Sequence, residues 1–117
     1  MGSDGVAVNL DPANLVMCAD DDPVRAVYTL RGYIVHTHAK DGIRLKEFDT
    51  KALYAPRYYG LKSCGWDVFS EVPLGKGGVD WANYLKALRE IGYDGYLTIE
   101  RECGEEPAKD IGAAVTF

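Results

Sequence analysis

The chain has 117 residues, 13 Lys and Arg against 18 Asp and Glu, and a formal charge of −5. That suffices for one modest domain with its own core, but falls short of a closed eight-stranded α/β barrel, which takes about 250 residues. The acidic balance counts against a nucleic-acid partner, no apolar run reaches the roughly 20 residues of a membrane helix, and MGSDG lacks the basic and apolar regions of a signal peptide, so a cytoplasmic protein is expected.

Residues 5–11 are predicted as a first strand ending in VAVNLD. The next helix starts with Asp22 as N-cap and Pro23 at its first position, carries Val24 and Val27, and closes at Arg31-Gly32. Residues 33–39, with YIVHTH, form a second strand rich in β-branched residues. Residues 42–78 then read as a long loop insertion bearing Tyr54, Tyr58, Tyr59, Trp66 and Phe69. Its aromatics point to an ordered segment that either lies over a site beside His38 or packs on a neighbouring subunit.

From Val79 the pattern is regular again. Asp80 caps a helix with Trp81, Tyr84, Leu85 and Leu88 on its apolar face, and Gly92 ends it. Asp94-Gly95 turns into a third strand over 96–101, and Pro107 opens a last helix carrying Ile111 and Val115. The order β-α-β-loop-α-β-α implies one α/β domain with a parallel sheet whose two open edges need covering.

Asp11, His38 and Glu100 each fall at the C-terminal end of a strand, where parallel-sheet proteins place their chemistry. Strand parity puts Asn9 with Asp11, His36 with His38, and Thr98 with Glu100 on single faces. The odd number of cysteines, Cys18, Cys64 and Cys103, without a CxxC pair, argues against a disulfide framework and a cysteine zinc site. Gly75–Gly78 (GKGG) lacks the spacing of a phosphate loop and reads as the turn feeding Asp80.

The segments VNLDPANLVM, IVHTHAKDG and VPLGKGGVDWANYLKALREIGYDGYLTIERE, with the final AAV helix, resemble the C-terminal part of the sugar phosphate isomerase/epimerase family of xylose-isomerase-like (β/α)8 barrels. The likeness spans nearly the whole chain apart from residues 43–70. It implies a partial TIM barrel of about three C-terminal β/α units, completed by homo-oligomerisation or a complementary barrel fragment. It further implies a divalent metal (Mn, Mg, Zn or Co) held by Asp11, His38 and Glu100, the family's remaining Glu coming from an earlier strand that this chain lacks. Glu100 is also the implied catalytic base, acting on a sugar or sugar phosphate in an isomerase or epimerase reaction.

Further contacts are expected around that centre. Asn14 either touches substrate or caps the turn after the first strand. His36 either reaches substrate or hydrogen-bonds beneath the metal, the second being the reading adopted. Lys40 either binds a substrate hydroxyl or phosphate or is a solvated loop charge, with Asp41 beside it, and Glu102 supports from behind. The fold also hosts inosose dehydration and cleavage at abasic DNA, the latter disfavoured by the acidic balance. The competing expectation is a non-catalytic remnant or assembly subunit that pairs through its strand edges.

Overall fold

The structure, a computed structural model, describes residues 3, 5–55, 57–58, 60 and 67–117. Three parallel strands, β1 (Val8–Leu10), β2 (Ile34–Ala39) and β5 (Leu97–Ile99), form one sheet in the order β1-β2-β5. Between β1 and β2 lie a short helical turn α1 (Pro12–Asn14), a π-helical turn (Leu15–Ala19) and helix α2 (Pro23–Thr29). Helix α4 (Trp81–Glu90) precedes β5, and α5 (Pro107–Ala114) follows it. Among the described residues the outer edges of β1 and β5 have no strand partner. This is a partial TIM barrel: consecutive parallel strands with helices on one side and a sheet left open at both edges.

The helix boundaries follow local chemistry. The Asp22 carboxylate accepts from the Val24 N–H and Pro23 takes the first helical position, while Asp80 accepts from the Asn83 N–H. Gly92, with φ +76°, leaves α4 in the left-handed region that glycine enters without steric cost.

The core lies between the sheet and helices α2 and α4. Leu10 and Ala39 meet Val27, Val79, Trp81, Tyr84, Ala87 and Leu88 there. The hydroxyls within it are satisfied: Tyr84 donates to the Thr37 hydroxyl at 2.6 Å, and Thr37 donates to the Leu10 carbonyl at 2.7 Å. Burial disfavours the phenolate and pushes the Tyr84 hydroxyl up to about 12. Tyr84→Phe should lower folding stability by about 1–2 kcal/mol, read as a shifted urea midpoint with an unchanged slope.

The segment expected to be a loop over 42–78 is largely structured where it is described. Strands β3 (Asp41–Arg44) and β4 (Phe69–Val72) pair antiparallel, with helix α3 (Thr50–Tyr54) between them. The excursion thus begins at Asp41, directly after β2. It packs against a second small cluster, in which Leu53 and Phe69 cover Ala13, Met17 and Cys18 of the helical turns after β1. Tyr59, Cys64 and Trp66 lie outside the described residues.

Candidate metal centre

Two layers of side chains project from the sheet face opposite the helices, because alternate strand residues share a face. The lower layer is Asn9, His36 and Thr98, and the upper layer, at the C-terminal strand ends, is Asp11, His38 and Glu100. Pairing fixes their stagger: Asn9 opposes His36, and His38 opposes Thr98.

In the upper layer, Asp11 serves two purposes. Its Oδ1 accepts from the Asn14 N–H at 3.1 Å, capping α1, and its Oδ2 lies 3.5 Å from His38 Nδ1. Glu100 Oε2 approaches the same nitrogen at 3.1 Å. One potential ligand atom from each residue falls within 4.8 Å of the others. Donors sharing an ion with bonds of about 2.0–2.1 Å stand roughly 3 Å apart, so the spacing fits a divalent cation. Two anionic oxygens and one imidazole nitrogen suit Mn²⁺, Mg²⁺, Zn²⁺ or Co²⁺.

The lower layer holds the imidazoles in place. His36 Nδ1 is 2.8 Å from Asn9 Oδ1 and its Nε2 is 2.8 Å from Thr98 Oγ1. Asn9 Nδ2 reaches His38 Nε2 at 3.2 Å. The two histidine rings meet edge to face at 5.4 Å. Both His36 nitrogens are therefore committed to side chains beneath the candidate ligands. Strand parity alone puts Asn9 and Thr98 on this face, and their hydrogen bonds to the two histidines give them a task.

Lys40 is not a solvated loop charge: it is 3% exposed. Its ammonium meets Glu100 Oε2 at 2.9 Å and Glu71 Oε2 at 3.4 Å, and also binds Glu102. Burial opposes the charge on Lys40, but Glu102 and Glu100, with the Asp11 carboxylate nearby, outweigh it and raise its pKa above the ordinary lysine value. Burial likewise opposes ionisation of Glu100, and Lys40 and His38 reverse that and hold its carboxyl below the usual range. Glu71, on β4, also accepts from Arg101 Nη1 at 2.9 Å, and Arg101 donates to Asp110 at 2.8 Å. Glu71 carries no sequence signal of this role, because nothing local shows that a strand of the insertion brings it back to the sheet.

An open cavity of about 750 Å³ is lined by Lys40, the ammonium partner of Glu100, but not by Asp11, His38 or Glu100 themselves. Lys40, Glu102 and the exposed Asn14 line it together with Leu53, Tyr54 and Phe69 of the insertion. The turn after β1 is capped by the Asp11 carboxylate, which accepts from the backbone of Asn14, so the Asn14 side chain is not its cap. Cys18 is buried and Cys103 exposed, and both are free thiols. No helix among the described residues is long and apolar enough to cross a membrane.

The family described as xylose isomerase-like TIM barrel matches residues 1–117. Among solved structures, a xylose isomerase domain protein from Planctomyces limnophilus is similar, at 32% sequence identity and a TM-score of 0.71. That match covers 98% of this chain and 37% of the other, so the chain spans little more than a third of that protein's length. No curated protein matches.

Proposed function

Because the chain belongs to the xylose isomerase-like TIM barrel family, we propose that Asp11, His38 and Glu100 are the ligands of a divalent cation in a sugar or sugar-phosphate isomerase or epimerase. The observation that carries this reading is the convergence of one donor atom from each of three strand ends within 4.8 Å. A bound divalent ion supplies Lewis acidity toward a carbonyl or hydroxyl oxygen, which acidifies the neighbouring carbon-bound proton.

The chain's own residues divide the remaining work. Glu100, kept ionised at neutral pH by Lys40 and His38, is the group that accepts a proton. Lys40 is fixed at the cavity wall by Glu71, Glu100 and Glu102, and its ammonium holds the Glu100 carboxylate in place. The insertion contributes Tyr54 and Phe69 to the cavity lining, aromatic surface on which a sugar ring can stack. His36 and Asn9 orient His38 from below.

Titration calorimetry with MnCl₂ on EDTA-stripped protein tests the ligand set. Asp11→Ala, His38→Ala and Glu100→Ala should each weaken binding by more than about 100-fold, since even outer partners of a metal site cost about 10–100-fold. Affinity unaffected by all three would sink the assignment. Solvent deuterium incorporation into ketoses, aldoses and their phosphates then reads the proton transfer directly.

A second reading rests on the two open sheet edges: the chain is an assembly subunit without turnover. Native mass spectrometry with Mn²⁺ separates the two. Assembly with no ion bound favours the subunit, whereas one ion per chain favours the enzyme.

A further inference from the structure

We infer that Asn9 is a positioning residue whose side-chain amide turns over when His38 takes a metal, reversing the hydrogen bonds of His36 and Thr98 beneath it. This rests on the metal reading above and adds to it a coupled lower layer.

The direction of each hydrogen bond decides the matter. His38 Nδ1 is the nitrogen that faces both carboxylates, at 3.1 Å from Glu100 and 3.5 Å from Asp11. Its Nε2 faces the NH₂ group of Asn9 at 3.2 Å and therefore accepts, which leaves the ring proton on Nδ1, directed at the carboxylates. Asn9 Oδ1 accepts from His36 Nδ1–H at 2.8 Å, and His36 Nε2 accepts from the Thr98 hydroxyl at 2.8 Å. Every group in this chain is satisfied in one sense only.

A cation between the three ligands needs the lone pair of His38 Nδ1, so the ring proton must sit on Nε2. It then points at the Asn9 NH₂, donor against donor. Rotating the amide by half a turn presents Oδ1 to His38 and Nδ2 to His36. His36 must accept at Nδ1, carry its proton on Nε2 and donate to Thr98 Oγ1. Each imidazole keeps one proton throughout, so the whole layer changes sense without change of charge. His36 touches no ligand atom, yet its tautomer reports whether the site is filled.

Long-range ¹H–¹⁵N correlation spectra of ¹⁵N-histidine-labelled protein, with and without saturating Zn²⁺, test this. The expected result is His36 protonated at Nδ1 in metal-free protein and at Nε2 with Zn²⁺. Asn9→Asp, which offers only acceptors, should keep His36 at Nδ1–H in both states, and Asn9→Leu should weaken Zn²⁺ binding about 10–100-fold. If His38 is ligated through Nδ1 while the His36 tautomer of the unsubstituted chain stays the same, the coupling is overturned and the metal site stands. If Zn²⁺ leaves the His38 signals unmoved, the metal reading falls and the coupling with it. Should Asn9→Leu fail to fold, the unsubstituted chain and Asn9→Asp still decide.

Discussion

Asp41→Ala is expected to remove about 4 kcal/mol or more of folding stability, the largest effect of any single substitution considered. Asp41 is 1% exposed, and its carboxylate accepts five hydrogen bonds. Oδ1 takes the N–H groups of Gly42 at 2.9 Å and Val79 at 3.2 Å. Oδ2 takes those of Gly75 at 3.0 Å and Gly77 at 3.1 Å, and the Trp81 indole at 2.9 Å. The GKGG segment wraps an anion much as a phosphate loop does, but the anion is a carboxylate of the chain itself. Asp41 thereby ties the two ends of the insertion together at the point where it leaves β2. Alanine would orphan several buried donors at once, and asparagine would set an NH₂ against two or three of them. Gly77→Ala should be comparably damaging, since a Cβ there would lie 2.1 Å from Asp41 Oδ1 and 2.6 Å from the Gly42 nitrogen. Urea titrations followed by circular dichroism measure both. A loss below about 1 kcal/mol for Asp41→Ala would show that the turn holds without its anchor.

Asp41 also shows where the sequence stops being legible. Signals confined to a few neighbouring residues carry through to the structure: Asp22-Pro23 and Asp80 cap helices, Gly92 ends one, and strand parity places Asp11, His38 and Glu100 on one face. An aspartate at the start of a strand looks like a loop residue, because four of the five groups that satisfy it arrive from 34 to 40 positions away. Lys40 is misread in the same way, its carboxylate partners lying 31, 60 and 62 positions along the chain. The strand Phe69–Val72 is only four residues long and includes Ser70 and Glu71, so it offers little apolar alternation to detect. The turns after β1 follow a different logic, since Ala13 and Met17 face inward at a spacing of four and find their cover in the insertion. Non-local polar satisfaction, more than hydrophobic pattern, separates the expected loop from the ordered one.

The same non-local satisfaction makes Lys40→Met the second large effect, with an expected loss of about 3 kcal/mol, toward the lower end for breaking a buried ion cluster. The lower end applies because Glu100 and Glu102 retain 32% and 67% side-chain exposure and can be partly resolvated. Glu71, at 7%, keeps Arg101 as its counter-charge. In metal-free protein the pH dependence has a definite sign. Lys40 has a raised folded-state pKa, so its contribution is complete below the ordinary lysine value and declines only as alkaline pH passes through the folded one. Glu100 has a lowered folded-state pKa, so its contribution is complete above the ordinary value of 4.5 and declines as acid passes through the folded one. The stability gap between the unsubstituted chain and Lys40→Met should therefore stay level from about pH 6 to 9 and narrow below about pH 4.5. The substitution should also tighten Mn²⁺ binding, because it removes a cation 2.9 Å from a ligand oxygen. Destabilisation accompanied by weaker Mn²⁺ binding would instead mean that Lys40 shapes the site by packing, and a gap unchanged into acid would deny the Lys40–Glu100 pair its share of stability.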